Sequence, residues 1–96
     1  MRVINYTENT ERDVPLKDIH LRGVQIAQLK VLCKYIHNNF NNILRLDFCL
    51  LERFDELSVT VFYKTAKLPT NFFITRLGAI KTITKKGKIK YIDLKE

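Results

Sequence analysis

The sequence predicts an α+β domain in which one long amphipathic helix packs on an antiparallel sheet of four to five strands. Three observations carry this expectation. Residues 23–40, GVQIAQLKVLCKYIHNNF, place Ile26, Leu29, Leu32, Cys33, Ile36 and Phe40 at steps of three and four, the spacing of one helix face. Residues 43–51 and 57–64 alternate with period two, as a half-buried strand does. Residues 80–92 hold two short β-branched runs about Lys85-Lys86-Gly87. The chain of 96 residues is long enough for one modest core and too short for two, so residues 1–96 are read as a single domain of order β-α-β-β-β-β.

Taken in order, residues 2–7 (RVINYT) are β-branched and aromatic enough for a short first strand. The polar run from Thr7 to Asp13 reads as an exposed loop. Pro15, with Asp13 before it, suits the start of a short helical turn through Leu16 and Ile19. The main helix begins near Gly23, because glycine inside a helix weakens it. Gln25, Gln28, Lys30, Lys34 and Asn38 are expected to face water. Asn38, Asn39, Asn41 and Asn42 crowd the end of the helix, where asparagine tolerates left-handed backbone.

Leu44, Leu46, Phe48 and Leu50 then form one face of a strand, and Leu57, Val59, Val61 and Tyr63 form one face of the next. The polar turn Arg53-Phe54-Asp55-Glu56 joins them as a hairpin. Pro69 keeps its neighbourhood out of a central strand. Residues 71–77 (NFFITRL) fit a strand by composition and a helix by the spacing of Phe73, Leu77 and Ile80. In the last hairpin, a three-residue loop ending in Gly87 opposes Ile83 to Ile89 and Ile80 to Ile92. The alternative architecture is winged-helix-like, with a second helix at residues 70–77 and residues 79–94 as a C-terminal β-wing. The strand pattern of residues 43–64 argues against it, since that hairpin would be an insertion.

Charge is ordinary in amount and lopsided in place. Residues 1–63 carry eight basic and eight acidic side chains; residues 64–96 carry nine basic against Asp93 and Glu96 alone, which accounts for the whole net charge of +7. Such an imbalance favours a polyanionic or acidic partner. No apolar run is long enough to span a bilayer, and none follows Arg2 as a leader would require, so a cytoplasmic protein without membrane attachment is expected. Cys33 and Cys49 form no close pair and read as reduced, buried thiols, with a bridge between helix and strand as the other outcome.

Signals of catalysis are missing. Ser58 is the single serine and has no glycine-flanked elbow about it; Gly23, Gly78 and Gly87 are too scattered for a phosphate loop. Cys33 and His37 stand four apart, but with Cys49 and His20 they make no recognisable zinc set. Glu52, Asp55 and Glu56 read as a solvated turn rather than an acid–base group. A non-enzyme without cofactor or metal is therefore expected.

The lysine hairpin is the feature that calls for a ligand. Arg76, Lys81, Lys85, Lys86, Lys88 and Lys90 are assigned to phosphate contacts, Thr82 and Thr84 to hydroxyl contacts, and Tyr91 to stacking on a base. Edge protection would explain one or two lysines, though not the near-absence of acids from residue 64 to 92. Phe62, Phe72 and Phe73 are more simply core residues. The first expectation is a DNA- or RNA-binding protein of low sequence specificity. The second is a regulator or inhibitor of viral or plasmid accessory type, such as a counter-defence protein, docking its basic face on an acidic or nucleic-acid-binding protein surface. A third is a homodimer that buries some of the ten aromatic rings.

Overall fold

A computed structural model describes residues 1–5, 10–15, 19–52, 54–84 and 86–94. These residues form one helix and seven strands: β1 (Arg2–Asn5), β2 (Thr10–Asp13), α1 (Gly23–Asn39), β3 (Ile43–Leu51), β4 (Glu56–Tyr63), β5 (Thr70–Ile74), β6 (Ile80–Ile83) and β7 (Ile89–Ile92). The strands make a single mixed sheet of order β2-β1-β3-β4-β5-β6-β7. The α+β class holds, with more strands than four to five and one parallel pairing. Parallel neighbours need a long crossover, and β2 with α1 provides it between β1 and β3.

Two strands go beyond that order: β5, where residues 71–77 fitted either strand or helix, and β2, in the run expected to be an exposed loop. Its register sets Arg2 against Asp13 and Val3 against Arg12. The charged residues that suggested a loop suit an edge strand, whose side chains reach water and find ionic partners. Arg12 pairs with Glu52 at 3.1 Å and Glu11 with Arg2 at 3.3 Å. The helical turn expected through Leu16 lies outside the described residues.

In β3 and β4 the predicted hairpin appears with Leu46 opposite Val61, Phe48 opposite Val59 and Leu50 opposite Leu57. Residues 70–74 are strand β5, which removes the winged-helix-like alternative. Phe72 and Ile74 are buried while Leu77 is exposed, so period two governs there. Chain reversal to β6 follows at once, with Thr75 N–H donating to the carbonyl of Ala79 and Gly78 N–H to that of Thr75. In the last hairpin the register is as expected, Ile83 opposite Ile89 and Ile80 opposite Ile92.

The helix covers one face of the sheet. Leu32 and Ile36 pack against Leu57, Val59, Val61, Tyr63, Phe72, Ile74 and Ile80. Each such side chain contributes about 1.5–3 kcal/mol by leaving water. The buried stripe is rotated from the predicted one: Ile26 is 43% exposed and Gln25, expected in water, is fully buried. Hydrogen bonds satisfy the amide that is buried in the first turn. Gln25 Oε1 accepts from Arg22 N–H at 3.0 Å, and its Nε2 donates to the Asp55 carbonyl at 2.7 Å.

Both cysteines are unbonded, and strand geometry excludes the bridge. Cys49 alternates with Phe48 and Leu50 and so points away from the helix that carries Cys33. No helix among the described residues is long and apolar enough to cross a membrane.

Candidate functional site

Strand direction gives the sheet two unlike ends. β4 and β6 run the same way, so the β4–β5 connection (64–69) and the β6–β7 turn (84–88) lie at one end. The C-terminus of α1 lies there too: Phe40 sits 6.4 Å from the Tyr63 ring and 6.0 Å from Phe72 between centroids. At the other end, the N-terminus of α1 meets the β3–β4 and β5–β6 turns. Arg22 binds Asp55 at 3.0 Å and Gln28 Nε2 donates to the Gly78 carbonyl at 2.8 Å.

Ion pairing separates these ends further. Glu11, Asp13, Asp47, Glu52, Asp55 and Glu56 are matched to Arg2, the N-terminal ammonium, Arg45, Arg12, Arg22 and Lys81. Among the described residues, these pairs include every carboxylate except that of Asp93. Lys64, Lys67, Lys86, Lys88 and Lys90 are all exposed, and none has a carboxylate within 4 Å among the described residues. Lys67 instead lies over the Tyr63 ring, 4.6 Å from its centroid, within the usual reach of a cation–π contact. Positive charge therefore collects where the β4–β5 and β6–β7 connections stand together.

The residues assigned from sequence divide into three groups. Lys86, Lys88, Lys90 and Thr84 belong to the cationic end; Lys85, between Thr84 and Lys86, lies outside the described residues. Thr84 shapes the turn, its Oγ1 accepting from Lys88 N–H at 3.2 Å and its own N–H donating to the Lys88 carbonyl at 2.8 Å. Thr82 is half-buried and its hydroxyl donates to the Asn71 carbonyl at 2.6 Å, so that proton is already committed.

Lys81 and Tyr91 project from the opposite, helix-free face, where their backbones are paired. Lys81 Nζ is held by Glu56 at 2.9 Å with both side chains less than one-fifth exposed. Arg76 sits in the β5–β6 turn, at the far end from the lysines. Of the aromatic rings singled out from the sequence, none stands open at the cationic end. Phe72 and Tyr63 are buried, Arg45 covers Phe62 at 4.2 Å, and Phe73 faces the side of Lys81.

Sequence reasoning left Lys64 and Lys67 out of the site. The signal was available: a meander of four strands returns every second connection to the same end. Lys30 and Lys34 extend the charge along the exposed side of α1, where with Leu94 they line a shallow groove. Burial pushes the Cys33 thiol above its ordinary value, so it is protonated near neutral pH. No three His, Cys, Asp or Glu side chains come together as metal ligands among the described residues. Compared with protein-family models, curated proteins and solved structures, the chain matches none.

Proposed function

We propose that the protein binds nucleic acid non-enzymatically through its cationic end, by phosphate contacts and with little regard to sequence. One observation carries this reading: among the described residues, five exposed lysines without carboxylate partners stand toward one end of the sheet, Lys64 and Lys67 on the β4–β5 connection, Lys86 and Lys88 at the β6–β7 turn and Lys90 in β7, while every described carboxylate but that of Asp93 is ion-paired within the scaffold. Ammonium groups on mobile stems follow a phosphate backbone and release its condensed counterions. Phosphate contacts fix position but carry no base identity. With Tyr63 and Phe72 buried, Phe62 capped by Arg45 and Phe73 and Tyr91 on the other face, base stacking by these rings adds little, so duplex and single strand should differ mainly by charge density.

The test is a filter-binding titration across salt with single- and double-stranded DNA and RNA. About four phosphate contacts give a slope near −4 in log affinity against log salt, hence a loss of about a hundredfold between 50 and 200 mM. Randomising the base sequence should leave affinity unchanged. Affinity that ignores salt, or undetectable binding to every probe at low salt, removes the proposal.

A further inference from the structure

The helix-free face of the sheet is polar on one side and apolar on the other. Over β1–β3 it carries Arg2 with Glu11 and Arg45 with Asp47. From the β3–β4 turn across to β7 it opens into a groove of about 560 Å³ lined by Leu51, Phe54, Phe73, Ile83 and Ile89, with the Lys81–Glu56 pair in its wall. Ile83 is 53% exposed, Ile89 58% and Tyr91 65%, all large side chains on one side of a single hairpin. The groove runs out to β7, which pairs with β6 on one side and with no other strand among the described residues. Alternate N–H and C=O groups of β7 therefore face outward, as on any edge strand.

We infer that β7 and this groove accept an extended protein segment that alternates acidic and bulky apolar residues, added as an eighth strand. The alternation is dictated by β7 itself. Ile89 and Tyr91 point to the groove side, whereas Lys90, and by alternation Lys88, point to the helix side. A strand laid beside β7 shares its pleat, so its apolar residues meet Ile89 and Tyr91 while its carboxylates meet the two lysines. Opposite charges facing across a ladder stabilise it and like charges do the reverse.

That rule also disfavours a second copy of the chain. Two-fold pairing of β7 with itself that keeps apolar residues together sets Ile89 against the copy's Tyr91 and Lys90 against its own counterpart. Main-chain bonds would supply affinity here and the alternating side chains selectivity. The groove itself is electrically neutral because its lysine and glutamate satisfy each other; Lys88 and Lys90 are shared with the nucleic-acid reading, and substitutions of the groove isoleucines, which spare both lysines, separate the two.

The experiment titrates the full chain into labelled peptide EVEFEIE and into a scrambled control, EEEEVFI, of the same composition. The alternating peptide should bind at least about tenfold more tightly, the sum of a few cross-strand pairs. Ile83→Ser combined with Ile89→Ser should weaken it about tenfold and leave the salt-dependent nucleic-acid titration unchanged, which also shows that the variant folds. Lys90→Glu should weaken it independently. Amide exchange of β7 should slow when the peptide is added. Equal affinity for the two peptides, no binding at millimolar peptide, or full affinity in the double serine variant overturns the inference. A dimer in sedimentation that the serine variant abolishes assigns the face to a second copy instead.

Discussion

The side chain of Gln25 is fully enclosed, and each of its polar atoms has a partner. Its amide ties the start of the helix to two distant points of the chain, Asp55 and, by a longer contact of 3.4 Å, the Thr75 carbonyl. Gln25→Met keeps length and volume but strands the Arg22 N–H and the Asp55 carbonyl. We expect a loss of about 2 kcal/mol, read from the urea midpoint, because an orphaned buried polar group loses its water without compensation. A change below about 0.5 kcal/mol would mean that water reaches these groups. The Glu56–Lys81 pair makes the complementary case. Removing one charge, as in Glu56→Gln, leaves a mostly buried ammonium without its counterion and should cost about 3 kcal/mol. Replacing both, with Glu56→Leu and Lys81→Met, should restore most of that loss, since a desolvated ion pair is worth little more than packed apolar groups. A double variant as unstable as the single one would make the pair a true stabiliser.

At the scale of elements, turns decide how helix and sheet lock together. Gly78 and Gly87 both adopt positive φ, +89° and +79°, in the β5–β6 and β6–β7 turns. An added methyl at Gly87 meets nothing within 4 Å, so Gly87→Ala carries only the left-handed penalty of about 1 kcal/mol. At Gly78 the same methyl would stand 3.2 Å from Val24 Cβ, against the first turn of α1. Gly78→Ala should therefore cost about 2 kcal/mol or more, and a thermal melt of both variants should rank them in that order. Gly87 was legible beforehand because a three-residue loop demands left-handed backbone at its last position. The packing of Gly78 was not, because contact with a helix fifty residues away leaves no local mark. The same contrast runs through the fold. The alternation of Leu46, Phe48 and Leu50 announced β3, whereas the charged run of β2 resembled a loop until β1 supplied its ladder. Gln25 was misread for a related cause: polarity predicts exposure only when no buried acceptor awaits the side chain.

Among the described residues, unpaired lysines collect at one end of a frame whose other charges are largely ion-paired, and that arrangement was half visible in the chain. Counting charges located the excess after residue 64. It did not show that strand direction would carry Arg76 away from the lysines, turn Lys81 through the sheet to Glu56, or bring Lys64 and Lys67 beside the β6–β7 turn. This geometry separates two explanations of any polyanion binding. If net charge alone governs, every reversal of a cation costs the same. If position governs, Lys64→Glu with Lys67→Glu should weaken binding about as strongly as Lys86→Glu with Lys88→Glu, each lowering the salt slope by about two. Arg76→Glu with Lys81→Gln changes net charge by three and should leave that slope nearly unaltered. Exposed charges farther apart than a Debye length of about 8 Å are largely screened at physiological ionic strength, so the far end barely senses a bound phosphate. Equal losses in all three variants would replace a located interface by a diffuse field, and the cationic end would then be an accident of topology.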